Sequence, residues 1–209
     1  MALYLAVAIT GLALTRQGAA PAIVQEGGSR AAVYLPIVVV QLLLVVYVAR
    51  VGRPRWALFS LLGERWTTAR RACVDVALAG ALWLAIRGLE LAWSRMAGPP
   101  PHAITAILPG SGAERIAWAL VSVTVGTCEE LVFRGYLRIQ LGAFTGRAWL
   151  AILIQAVIFG LAHAEQGAAS AARIAIYGLA LGAVAHSRRS VVPCILAHVA
   201  TDLVSGLVH

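Results

Sequence analysis

The sequence predicts an all-α fold, a polytopic transmembrane helix bundle of about seven helices with its chemistry in an intramembrane cavity. Three observations lead there. Of 209 residues, 60% are hydrophobic and only 12% charged, with a mean hydropathy of +0.83, whereas a soluble domain of this size carries about a quarter charged residues. The apolar residues fall in seven runs separated by short polar stretches, as in repeated membrane crossings. The 17 basic residues are all arginine and sit mainly at the ends of those runs, which suits topology signals better than a nucleic-acid-binding stripe. The partner this composition implies is the lipid bilayer, and no nucleic-acid partner is expected.

Taken in order, Ala2 to Leu14 has no arginine before it and no clear small-residue cleavage site, so it reads as a short retained span and not a signal peptide. Ala31 to Ala49 is the second span. The stretch from Trp56 to Trp66, flanked by arginines, reads as an interfacial amphipathic helix on the cytoplasmic face. Ala72 to Trp93 follows, with Arg87 and Glu90 spaced as a structural i, i+3 pair and Asp75 too near the inner end to be given a role. Pro99, Pro100 and Pro101 then break the chain. The fourth span, Gly112 to Leu141, opens on Ser111-Gly112-Ala113-Glu114, a capping-box pattern. Ala148 to His163, Ala171 to His186 and Val191 to Val208 complete the set, the last with Pro193 tolerated in its first turn. Several runs are shorter than the ~20 residues a straight span needs, which predicts tilted, re-entrant or broken helices beside a cavity.

Repeats are lacking, and no linker is long enough to divide the chain, so 1–209 reads as one transmembrane domain. Arg50, Arg53, Arg55, Arg65, Arg70 and Arg71 share one connection, Arg138 and Arg147 a second, and Arg188 and Arg189 a third. With seven spans these fall on one side, and the positive-inside rule places them and the N-terminus in the cytoplasm. Cys73, Cys128 and Cys194 form no CxxC and read as small buried hydrophobes. Cys128 adjoins Glu129, but nothing in the sequence supplies the electropositive setting a reactive thiolate needs.

The informative residues are charges at bilayer depth. In Cys128-Glu129-Glu130-Leu131-Val132-Phe133-Arg134, Glu130 and Arg134 are spaced i, i+4 with the acid first, the favoured order for a pair on one helix face. Glu129 points about 100° away and is left over. Glu129 lies roughly 18 Å from the inner end of its span. The bland alternative is an ion cluster that only glues helices together. Phe159 and His163 share a helix face at i, i+4, and His163 lies roughly 22 Å from the start of its own span, so it reaches a depth similar to that of Glu129. His198 and Asp202 repeat the spacing in the last span, roughly 10 and 16 Å in. Taken alone, His163 reads as a satisfied structural residue, and His198 with Asp202 reads equally well as a structural pair.

Together these three motifs, in this order on successive apolar segments, resemble the CPBP family of intramembrane proteases: type II CAAX prenyl endopeptidases, bacteriocin-processing and immunity proteins, and their prokaryotic relatives. The resemblance covers Gly112 to His209 and implies a catalytic core over 112–209, preceded by N-terminal helices over 1–111, in a prokaryotic cytoplasmic membrane. It implies metal-free hydrolysis of a membrane-associated peptide or protein: a CAAX-type tail, a peptide precursor or a C-terminal membrane anchor. By position Glu129 is the base that activates water, assisted by His163. His198 and Asp202 face the oxyanion, and Glu130, Arg134 and Phe159 support them. Asp202 is either a donor to the oxyanion or the group that orients His198. Two other readings remain open. One is a zinc protease using His163, His198 and a carboxylate, although no HExxH is present. The other is a non-catalytic immunity or scaffold relative.

Overall fold

A computed structural model describes residues 30–51, 58–64, 66–98 and 105–208. The first expected span, Ala2 to Leu14, lies outside them; of the expected interfacial helix, Trp56 to Trp66, residues 58–64 and 66 are described, and only the single turn Leu58–Leu61 is helical. Six long helices run through the described residues: α1 Ala31–Val51, α2 Ala69–Ala97, α3 Gly112–Thr145, α4 Ala148–Leu161, α5 Ala168–Arg188 and α6 Val192–Leu207. Each overlaps the apolar run that predicted it.

The local chemistry of the helix ends explains these boundaries. The capping box at α3 is complete: the Ser111 hydroxyl accepts from the Glu114 N–H, and the Glu114 carboxylate accepts from the Ser111 N–H at 3.0 Å. Thr68 caps α2 in the same way through the Arg71 N–H. α3 stops at Gly146 in a left-handed conformation, and Pro193 sits in the first turn of α6.

The packing inverts that of a soluble protein. Leu35, Leu43, Leu84, Ile116 and Leu120 point outwards, while Asp75, Glu129, Glu130, Arg134 and Gln155 are buried. α1, α2, α3 and α5 are long and apolar enough to cross a bilayer. α4 and α6, with 14 and 16 residues, are shorter than the ~20 residues of a straight crossing. This is an integral membrane protein. α3 lies between α1 and α6, α4 packs along α5, and α6 also rests on α2. The approach of α6 to α3 needs Gly126, because a Cβ there would stand 2.8 Å from Val199 Cγ2 and 3.1 Å from the Val199 nitrogen.

At the arginine-rich end, Asp75 corrects its dismissal. Its carboxylate is buried and accepts from Trp66 Nε1 at 2.9 Å and from Arg188 Nε at 2.8 Å, fastening α2 to the end of α5. The 58–64 segment bonds to the α5–α6 turn through Glu64 N–H to Arg189 O at 2.8 Å and Val191 N–H to Leu62 O at 3.0 Å. Arg87 and Glu90 form their expected pair. Cys128 and Cys194 are buried as expected, whereas Cys73 is exposed, because it lies on an outward face of α2.

Candidate active site

α3 carries the central acids. It is regular as far as Glu130 and then widens into a π-helix over Leu131–Leu137, where the Arg138 N–H reaches back five residues to the Phe133 carbonyl. The sequence reading had one unbroken α-helix there. π-segments of this kind recur beside functional sites. Glu130 and Arg134 form the expected pair, Oε1 to Nη1 at 2.9 Å, with both side chains fully buried. Arg134 also lies over the Phe159 ring, its Cζ 4.1 Å from the centroid.

Glu129 faces another way. Its Oε1 accepts from Gln41 Nε2 of α1 at 2.7 Å. Its Oε2 is buried, without a hydrogen-bond partner among the described residues. Two imidazole nitrogens converge on that oxygen, His163 Nε2 and His198 Nε2, each at 3.9 Å. The two depths estimated along opposite chain directions do meet.

The ring orientations are fixed from behind. His163 follows the last turn of α4, where its own N–H bonds to Gly160 O at 3.0 Å in place of the Phe159 carbonyl. The freed Phe159 carbonyl contacts His163 Nδ1 at 2.8 Å. A carbonyl only accepts, so Nδ1 carries the hydrogen and, in the neutral ring, the Nε2 lone pair faces Glu129. His198 Nδ1 lies 2.8 Å from Glu130 Oε1, the oxygen already paired with Arg134. Nδ1 is again the donor, so Nε2 is turned towards Glu129 Oε2 and Asp202 Oδ2, the latter 3.7 Å away.

Phe159 packs edge to face against His163, with centroids 4.8 Å apart, and against Phe133 at 4.9 Å, filling the space between the acids and the histidines. All seven residues selected from the sequence therefore occupy one place: Glu129, His163, His198, Asp202, Glu130, Arg134 and Phe159. The geometry alters the reading of one. At hydrogen-bond distance it is Glu130 that orients His198, and Asp202 stands farther off.

Two residues at the site were not selected from the sequence. Trp118 donates from Nε1 to the Asp202 carbonyl at 2.8 Å and so fixes α6 along α3. Gln41 lies outside the half of the chain that carries the motifs. Its signal was present, a lone amide in the middle of the apolar run Ala31–Val51. Among the described residues no three His, Cys, Asp or Glu side chains are grouped as metal ligands.

Residues 111–204 match the family described as type II CAAX prenyl endopeptidase Rce1-like. That stretch is similar to an Rce1-like domain. It runs from the N-cap of α3 into α6, includes all seven selected residues and excludes Gln41. The match supports the resemblance drawn from the three motifs, and with it a CAAX-type intramembrane endopeptidase as the general class. No curated protein and no solved structure matches the chain.

Proposed function

We propose that this protein is an intramembrane endopeptidase that hydrolyses a peptide bond of a membrane-associated substrate through a water activated by Glu129. The observation that carries this reading is the meeting of the unpartnered Glu129 Oε2 with two oriented Nε2 atoms inside a buried site. A water held against Glu129 Oε2 gives that oxygen a proton as its own oxygen attacks the scissile carbonyl carbon, and His163 Nε2 accepts from the remaining O–H. The carbonyl π pair moves onto its oxygen. His198, as imidazolium, donates to this oxyanion from Nε2, and Asp202 beside it does the same when it carries a proton. Collapse of the intermediate breaks the C–N bond. The proton held by Glu129 passes to the leaving nitrogen, which restores the carboxylate.

The substrate is a CAAX-type tail, a peptide precursor or a C-terminal membrane anchor, since the base lies within a span and the substrate's bond must reach bilayer depth. Arg70, Arg71, Arg138, Arg147, Arg188 and Arg189 belong to connections on one side, which supports a cytoplasmic placement of that face, and with Ala2 to Leu14 as a further span the N-terminus shares it; the prokaryotic cytoplasmic membrane is proposed from the family resemblance.

The test uses a host lacking the gene, complemented with the wild-type protein or with Glu129→Gln. Newly formed protein termini in the membrane fraction are then compared by mass spectrometry. The substitution keeps the size and an acceptor for Gln41 but removes the base, so processing should stop while abundance holds. Normal processing by Glu129→Gln would overturn the proposal. So would a wild type that generates no termini, which would favour a non-catalytic relative.

A further inference from the structure

We infer that Gln41 is a positioning residue of this reaction, so that the catalytic unit extends beyond the Rce1-like stretch into α1. The inference rests on the reading of Glu129 as the base. A carboxylate in apolar surroundings has two oxygens to satisfy, and which one stays free decides where its basic lone pair points. Here Oε1 is taken by the Gln41 amide at 2.7 Å and Oε2 faces His163 and His198. An ionised carboxylate only accepts, so the Gln41 atom against it is the NH2 group, a donor to a charged acceptor. Gln41 is half-buried, and its contact is with Glu129, in a helix otherwise apolar around it.

The neighbours show why the contact has to come from α1. α3 supplies both acids, and Glu130 is engaged by Arg134 and His198. α4 and α6 bring the two histidines to Oε2. α1 packs directly against α3 and supplies the donor to the remaining oxygen. Without it the carboxylate can rotate about its terminal torsion, a broad and roughly two-fold barrier, and Oε2 is no longer held towards the histidines.

The experiment takes wild type, Gln41→Met, Gln41→Glu, Glu129→Gln and a lipid-facing control, Leu43→Ala, all as full chains in one detergent. Steady-state cleavage uses a synthetic peptide spanning the site identified in the terminus comparison. Infrared spectra of each protein are recorded alongside, and the carboxylate stretch absent from Glu129→Gln is assigned to Glu129. Gln41→Met keeps the length and loses the donor. Its kcat should fall about 10- to 100-fold, the scale of misplacing a reacting group by an ångström, with KM within about threefold. Its Glu129 band should also be displaced. Gln41→Glu, which keeps size and polarity but replaces the donor with an acceptor, should be at least as impaired. Leu43→Ala should match wild type in both readouts. A normal kcat and an unmoved band in Gln41→Met, with Glu129→Gln inactive, would overturn this inference alone. An active Glu129→Gln would instead overturn the underlying reading. The infrared comparison decides the matter even if one Gln41 variant proves too unstable for kinetics.

Discussion

Replacing Glu130 by glutamine removes one charge and almost no volume, and its cost separates two accounts of the buried acids. Glu130 Oε1 accepts from Arg134 Nη1 at 2.9 Å and from His198 Nδ1 at 2.8 Å. Arg134 is fully buried, and its Nε and Nη2 have no hydrogen-bond partner among the described residues. If these are ordinary side-chain hydrogen bonds between membrane helices, at about 0.6 kcal/mol each, the glutamine carbonyl oxygen can still accept them, and even losing both costs only about 1 kcal/mol. If Glu130 instead compensates a buried guanidinium, removing it leaves an uncompensated charge, at about 3–5 kcal/mol. The second account is favoured, because the Phe159 ring is the main other neighbour available to that charge. At about 2–4 °C per kcal/mol for a chain of this size, the two accounts predict a fall in thermal midpoint of about 2–5 °C or about 6–20 °C. The assay is thermal unfolding in one detergent, followed by tryptophan fluorescence and by recovery of monodisperse protein after heating. Glu129→Gln serves as the reference, since that change keeps an acceptor for Gln41 and strands no cation. Adding Arg134→Met to Glu130→Gln should recover part of the loss, because the double variant no longer buries the charge. A Glu130→Gln midpoint within about 3 °C of that of Glu129→Gln would refute the assignment of separate roles to the two adjacent acids.

Cleavage should survive exhaustive dialysis against a strong chelator, since in the proposed mechanism Glu129 and His163 activate the water; stoichiometric zinc, with activity lost on its removal and regained on its return, would establish the zinc protease instead. Asp202→Asn should keep most of the activity and Asp202→Ala should lose about 10²-fold in rate, the scale for deleting one oxyanion donor. An Asn variant as inactive as Ala, in steady-state rates at one pH, would remove Asp202 as a donor.

The fold was legible because apolar runs and end signals are local. Ser111 with Glu114 and Pro193 mark helix starts through their own backbone chemistry, and the structure places helix starts there or one residue away, whereas the fourth span, expected to end at Leu141, continues to Thr145 before Gly146 stops it. The site was legible for a related reason. Ionisable residues in a membrane span are so costly that Glu129, Glu130, Arg134, His163, His198 and Asp202 stand out against an apolar background, and helix rise alone brings three segments to a common depth. What was not legible depends on contacts between elements. Asp75 was set aside from its position alone, but its partners Trp66 and Arg188 come from separate segments and meet only when α2 and α5 are packed. Gln41 is a neutral amide, less conspicuous than a charge, and its significance comes entirely from the neighbouring helix. The π-segment after Glu130 leaves no decisive sequence mark, because its residues also fit an ordinary helix, Gly135 at a modest cost.

The short helices connect the architecture to the proposed chemistry. α4 covers only about 21 Å at 1.5 Å per residue, against a hydrocarbon core of about 30 Å. Ending a helix at that depth leaves carbonyls without intrahelical partners, which is unfavourable unless something local satisfies them. One of these is the Phe159 carbonyl, and the group beside it is the His163 ring, four residues on. The same hydrogen bond therefore closes the helix end and sets the histidine tautomer, with Nε2 left facing Glu129. A longer α4 would cover the bilayer more completely, but the His163 N–H would then share the Phe159 carbonyl with the ring, which now has that acceptor to itself. The truncation of α4 and the orientation of His163 are thus coupled through the Phe159 carbonyl, and a substitution that extends α4 past Leu161 should disturb both together.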